Sequence, residues 1–191
     1  MSEKLKLQIV IASTRPNRVG KAVGDWFVEQ ARQDNRFEVE VADLAEINLP
    51  FLDEPKHPAM QQYQHQHTKD WSKKVAASDA FVFVEPEYNY GICAPLKNAL
   101  DFLFVEWAHK PAAIVSYGGV SAGLRAAEHS QQVMNALQMM VIKPAVSIPM
   151  VGQMVKEGQF QPTEIIENSV QPLLDELYKW GVTLKEMRSQ K

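Results

Sequence analysis

Short apolar runs alternate along the chain with stretches whose apolar residues recur every three or four positions. Leu5 to Ala12, with the β-branched run Ile9-Val10-Ile11, predicts a strand buried on both faces. After a loop from Ser13 to Arg18, residues Val19, Ala22, Val23, Trp26, Phe27 and Ala31 place one apolar stripe on a helix. Phe37 to Val41 alternates apolar with acidic positions and predicts a half-exposed edge strand. Asp43 to His67 holds Pro50, Pro55 and Pro58 and has too little periodicity for an element, which predicts a mobile surface loop. A helix from about Thr68 to Ser78 leads to Ala80 to Glu85, whose unbroken apolar character is that of a central strand. Pro95 suits a first helical turn, and Leu96, Ala99, Leu100 and Leu103 continue it. Ala112 to Tyr117 predicts a strand, Leu124 to Met139 a helix, and Ala145 to Ile148 a last strand. The repeat through Ile165/Ile166, Ser169/Val170, Leu173/Leu174 and Leu177/Tyr178 predicts a long terminal helix that Pro172 should kink or split.

Five strands alternating with five helices predict a doubly wound parallel sheet, because parallel strands need crossovers and those crossovers cover both faces. At 191 residues and 46% hydrophobic content, residues 1–191 are expected to form a single domain around one sheet. A net charge of −3 with both signs interspersed gives no general electrostatic reason to bind nucleic acid or an anionic membrane. Cys93 is the only cysteine, which excludes an internal disulfide or a multi-cysteine zinc site and suits a reducing compartment. The start, Met1-Ser2-Glu3-Lys4-Leu5, lacks a signal-peptide core, and no apolar run approaches the roughly 18 residues of a bilayer span. The expectation is a soluble, cytoplasmic protein.

In such a sheet ligands bind beyond the carboxyl ends of the strands, so three loops carry the candidate chemistry. The first, Ser13-Thr14-Arg15-Pro16-Asn17-Arg18-Val19-Gly20, joins two hydroxyls and two guanidinium groups to a helix N-terminus. Hydroxyls, backbone N–H groups, the helix dipole and arginine together suit a phosphate. They also suit a capped helix with solvated arginines. Neither Gly-x-x-x-x-Gly-Lys-Ser/Thr nor Gly-x-Gly-x-x-Gly occurs. The second loop, Pro86-Glu87-Tyr88-Asn89-Tyr90-Gly91, offers polar groups and aromatic faces to a heterocycle, or forms a turn with two rim aromatics. The third, Ser116-Tyr117-Gly118-Gly119, allows a planar ligand to approach the backbone, or forms an ordinary tight turn.

With Ser13-Thr14-Arg15-Pro16 and Arg18-Val19-Gly20, with Pro86-Glu87-Tyr88-Asn89 leading to Pro95-Leu96-Lys97-Asn98-Ala99-Leu100-Asp101, and with Ser116-Tyr117-Gly118-Gly119, the chain resembles the NAD(P)H-dependent FMN reductases of the flavodoxin-like superfamily across nearly its whole length. The resemblance implies a flavodoxin-like five-stranded parallel sheet in the order 2-1-3-4-5 with helices on both faces. It implies bound FMN, with NADPH or NADH as co-substrate, and ping-pong reduction of a flavin, quinone or similar small acceptor. By the same resemblance Ser13, Arg15, Arg18, Val19 and Gly20, with Thr14 beside them, hold the phosphate. Pro86, Glu87, Tyr88 and Asn89 lie along the isoalloxazine and ribityl groups, and Ser116, Tyr117 and Gly118 complete the ring pocket. Many members have glycine where this chain has Ala12 and serine where it has Arg18. The cofactor carries the chemistry, so no side chain is expected to be obligatory for catalysis.

Other residues read more plainly. Cys93 before Ala94-Pro95 is expected to be a packing residue. His57, His65 and His67 near Asp53 and Glu54 match no metal-ligand spacing. Lys97 and Asp101 are one helical turn apart and suit an ion pair. Phe102, Leu103, Phe104, Val105 and Trp107 exceed one helix face and are expected to supply part of a subunit interface. The resemblance implies a homodimer or homotetramer. A flavodoxin-type electron carrier and a non-catalytic FMN-binding protein are the alternatives that share this fold.

Overall fold

A computed structural model describes residues 4–190. The elements in chain order are β1 (Leu5–Ile11), α1 (Val19–Arg32), β2 (Phe37–Asp43), α2 (Leu44–Ile47), α3 (Gln66–Ala76), β3 (Ala80–Pro86), α4 (Ala94–Asp101), β4 (Pro111–Tyr117), α5 (Leu124–Ala136), β5 (Met140–Val141), β6 (Val146–Ile148), a small hairpin of β7 (Val155–Lys156) and β8 (Gln159–Phe160), and α6 (Glu164–Ser189). The main sheet runs β2-β1-β3-β4-β5, all parallel, with β6 also paired to β4. This is the expected order with one refinement. The fifth position is shared by two short strands, β5 beside the start of β4 and β6 beside its end, with Pro144 in the interruption where a ladder N–H would be needed.

The alternation of side chains along each strand divides the interior into two cores. Leu5, Leu7 and Ile9 of β1 and Val82 and Val84 of β3 face α1 and α6, meeting Phe27, Leu173 and Leu177. Val10 of β1 and Phe81 and Phe83 of β3 face the other way, onto Trp71, Leu96, Leu100 and Trp107. Every residue of β3 and β4 is buried, as continuous apolar strands between two helical layers should be. At the edge, Glu38 and Glu40 of β2 remain exposed and discourage pairing with another sheet.

Three expectations need correction. Asp43 to His67 is a held strap rather than a mobile loop. Asn98 clamps it, donating from Nδ2 to Pro50 O at 2.7 Å and accepting from Leu52 N at 3.0 Å. Farther along, the Tyr63 hydroxyl donates to Glu106 at 2.9 Å, and Glu54 accepts from the Gln64 and His65 backbone. Tertiary hydrogen bonds give the segment order that periodicity could not reveal. Secondly, Pro172 does not split α6, which runs through it as one helix of 26 residues. Pro172 and Asn168 are exposed, so the carbonyl that loses its partner can be hydrated, while buried Leu173, Leu174 and Leu177 hold the following turn to the core. Thirdly, most of the apolar cluster after α4 is internal, which leaves half-buried Phe104 and exposed Val105 as its part open to an interface. Phe102, Leu103 and Trp107 are buried, and Trp107 packs edge-on to Trp71 at 5.9 Å while donating Nε1–H to Leu100 O at 3.1 Å. Of this cluster Val105 alone is exposed.

The placement of Trp107 yields a first prediction. Trp107→Ala should lower unfolding stability by about 3–5 kcal/mol in a urea titration, the usual cost of emptying an aromatic core site. A variant of unchanged stability but reduced oligomeric mass would return this residue to an interface.

Candidate active site

The parallel register sets the carboxyl ends of β1, β3 and β4 side by side: Ile11 pairs with Val84, and Glu85 with Ser116. The loops leaving these ends converge. In the first, Asn17 takes a left-handed backbone, φ 54°, which turns the chain into α1. Arg18 is the N-cap of α1, with extended backbone and no side-chain hydrogen bond to the first turn, and that turn has no acidic residue. The capped-helix reading therefore does not hold. Without that cap, the N–H groups of the first turn and the positive end of the helix dipole can meet an anion from outside.

Ser13, Arg15, Arg18, Val19, Pro86, Glu87, Tyr88, Tyr117 and Gly118 line one cleft of about 410 Å³. Its wall holds a small cluster of hydroxyls. Ser13 Oγ and the Tyr88 hydroxyl are hydrogen-bonded at 2.9 Å, and the Tyr117 hydroxyl, buried beside Ser13, makes no hydrogen bond of good geometry among the described residues. Burial first, then the nearby Tyr88, pushes the Tyr117 phenol well above its ordinary pKa, with Ser13 beside it pulling the other way. Gly20 is buried behind this wall and does not line the cleft; a Cβ there would lie 2.0 Å from the Tyr117 hydroxyl oxygen. The Arg15 guanidinium stands 5.8 Å from the centre of the Tyr88 ring and makes no ion pair among the described residues. An open helix N-terminus, an exposed arginine, a buried phenol and an aromatic wall fit a planar ligand bearing a phosphate.

Not every residue singled out from sequence reaches this wall. Asn89 lines a shallower depression that shares Arg15, Glu87 and Tyr88 with the cleft. Thr14 faces a separate cavity of about 340 Å³ between the strap and α4, with Leu44, Phe51 and Asn98. Ser116 is buried and donates to Ala122 O at 2.9 Å, bracing the third loop instead of lining the cleft. The Glu87 carboxylate turns toward α5, accepting from Ser121 Oγ at 2.9 Å and from Arg125 N and Nη1. Gly123, at φ 81°, makes that arrangement possible, since a Cβ there would meet Tyr117 N at 2.7 Å. Pro16, Asn17 and Gly119, within the candidate loops but given no role there, also line the cleft, as does Val151, which lay in none of those loops. Val151 was findable: it follows the last sheet strand, and its N–H donates to Gly118 O at 3.1 Å.

Comparisons with known proteins give the family of the chain. The sequence profile described as NADPH-dependent FMN reductase matches residues 5–153, covering β1 through the loop that carries Val151. The chain belongs to the NADPH-dependent FMN reductase family. It is 40% identical over 148 residues to an NAD(P)H-dependent FMN reductase of Schizosaccharomyces pombe, covering 75% of this chain and 74% of the relative. It is 43% identical over 108 residues to a probable NADPH:quinone oxidoreductase of Oryza sativa subsp. japonica, covering 53% and 55%. The fold matches that of FerB, a flavoenzyme NAD(P)H:(acceptor) oxidoreductase from Paracoccus denitrificans, with TM-score 0.72 at 19% identity over 94% of this chain and 98% of that one. Membership makes the chain an NAD(P)H-dependent oxidoreductase that works with FMN.

Around the cleft of this family member, the remaining titratable groups have structural surroundings. Cys93 is buried before α4 with Sγ 3.8 Å from Ala12 O, and burial above all pushes its thiol up to about 12, so it is not a nucleophile at neutral pH. Lys97 and Asp101 form an ion pair along α4. His67 Nε2 lies 2.9 Å from Asp53 Oδ1, and His57 Nδ1 accepts from Ala59 N.

Glu85, at the end of β3 beneath the second loop, is fully buried; Oε2 accepts from Ser130 Oγ at 2.6 Å and Oε1 has no partner among the described residues. Burial raises its pKa to about 7. A carboxyl whose folded pKa lies above its unfolded value binds more protons when folded, so its contribution to stability falls as pH rises from about 4.5 through 7. Two predictions result. The stability lost between pH 5 and 8 should shrink in Glu85→Gln by up to about 3 kcal/mol, in parallel urea titrations; identical pH profiles would contradict the buried, protonated carboxyl. Gly20→Ala should destabilise by about 1–3 kcal/mol through overpacking, and adding Tyr117→Phe should recover part of the loss in thermal melts. No recovery would show that the clash lies elsewhere.

Proposed function

We propose that this cleft is the FMN site of a reductase that takes reducing equivalents from NADPH or NADH and delivers them to a flavin, quinone or similar small acceptor. The observation that carries the reading is the uncapped N-terminus of α1 opening into the same cleft as the buried Tyr117 hydroxyl. In this reading Ser13, Arg15, Arg18, Val19 and Gly20 hold the phosphate, with charge-assisted bonds from arginine and backbone N–H groups supplying most of the recognition. Thr14 flanks that loop. Pro86, Glu87, Tyr88 and Asn89 run beside the ring system, Glu87 by fixing its loop to α5. Tyr117 donates its hydroxyl, Gly118 gives access to backbone, and Ser116 braces the turn beneath them. Bound FMN supplies the hydride and electron chemistry, so the chain's tasks are binding, orientation and access.

The resemblance of the chain to both an FMN reductase and a quinone oxidoreductase supports a small acceptor. A homodimer or homotetramer belongs to the same reading, supported by Phe51, Leu52 and Met60, each exposed on the strap. So does a single domain spanning residues 1–191, supported by one sheet with a core on each face. A cytoplasmic location is supported by the free Cys93; no helix among the described residues is long and apolar enough to cross a membrane.

The test is an absorbance spectrum of the FMN-loaded protein, without oxygen, before and after NADPH. Rapid bleaching of the flavin bands is expected; bound flavin that neither nucleotide bleaches would contradict the reductase reading. Arg15→Ala should weaken FMN binding by about 1.5–3 kcal/mol, the worth of a charge-assisted hydrogen bond, as read by quenching of flavin fluorescence. Unchanged affinity would remove Arg15 from the phosphate site.

A further inference from the structure

The geometry points to Asp43, at the end of β2, as the positioning residue of the phosphate loop: it holds the Arg18 guanidinium in the cleft wall and so fixes the mouth of α1. This inference rests on the assignment of FMN to the cleft. A carboxylate this close to an anion site repels a phosphate unless its own charge is met. Here it is met. Arg18 Nη2 donates to Asp43 Oδ2, and the two side chains are 16% and 2% exposed. The other carboxylate oxygen, Oδ1, accepts from Ala45 N at 3.0 Å at the start of α2. Asp43 is therefore anchored from two sides and does not follow Arg18; Arg18 follows it.

The pairing of Asp43 with Ile11 in the sheet places this anchor beside the strand that launches the phosphate loop. Arg18 is at once the N-cap of α1 and part of the cleft wall. Held through Nη2, it keeps Nε buried without a hydrogen-bond partner. That leaves a donor in the wall for a phosphate oxygen to satisfy, while the net charge of the Asp43–Arg18 pair is zero. The net positive charge offered to the phosphate is then that of Arg15 and the α1 dipole. Breaking a buried pair on one side leaves an uncompensated charge, so loss of Asp43 should disturb the loop through Arg18.

The experiment compares FMN with riboflavin, which lacks the phosphate, by fluorescence quenching on the flavin-free full-length chain. Asn in place of Asp43 can still accept from Ala45 N, so α2 keeps its cap. Asp43→Asn should weaken FMN about tenfold and riboflavin less than about twofold, the discrimination expected for one charge-assisted contact. Arg18→Met should do the same, and the double variant should be no worse than Arg18→Met, because both changes act on one contact. Equal losses for both flavins, additive losses in the double variant, or tighter FMN binding by Asp43→Asn would each overturn the role. If Asp43→Asn does not fold, the double variant, which removes both buried charges, is compared with Arg18→Met: an equal FMN-to-riboflavin ratio supports the inference and a further drop contradicts it. A wild-type chain that binds riboflavin as tightly as FMN would instead overturn the phosphate-site reading beneath it.

Discussion

Parallel pairing of β1, β3 and β4 is the constraint on which the site depends. Parallel neighbours cannot be joined by tight hairpins, so each strand must return through a helix, and every strand ends at the same edge of the sheet. The register then fixes the height of those ends. With Ile11 opposite Val84 and Glu85 opposite Ser116, the loops carrying Ser13, Tyr88 and Tyr117 leave the sheet at one level. Three segments far apart in sequence thereby place hydroxyls around a single helix N-terminus.

Inside that edge, charge is managed by burial and by pairing. Glu85 lies in the dry interior, where burial raises its pKa to about 7, whereas Asp43 is paired with a guanidinium and a backbone N–H. The two carboxyl groups sit at the ends of nearby strands with opposite solutions to the same desolvation problem. Their neighbours show the same economy of polar groups. Ser130 meets one oxygen of Glu85, and Ala12 O lies against the Cys93 thiol, so the ground beneath the second loop is polar yet without a reactive nucleophile.

Much of this was legible in the chain. The apolar runs at Leu5, Ala80 and Ala112 and the stripes at Val19 and Leu96 were sufficient for the layers, because burial on two faces and on one face leave different periodicities. The loops after them were legible for the same reason. The strap was not: its order comes from Asn98 and Glu106, which lie far away in sequence. Nor was the interior placement of Phe102 and Trp107, since an apolar excess reads alike whether it fills a core or an interface. Thr14 and Ser116 show the limit within the site itself. Loop membership follows from the topology, but the direction of each side chain depends on local backbone, and here one turns to the strap and the other to Ala122. Asp43 lay outside every candidate loop, and only the sheet register reveals its bearing on Arg18.

FMN bound in this cleft is proposed to rest its phosphate on the first turn of α1. Amide chemical shifts of the full-length chain, recorded while FMN and then riboflavin are added, test it most directly. The N–H signals of Val19 and Gly20 should move strongly with FMN and far less with riboflavin, as amides that gain a phosphate acceptor do. Equal movement with both flavins, or movement centred on Thr14, Asn48 and Asn98 at the strap cavity, would contradict it.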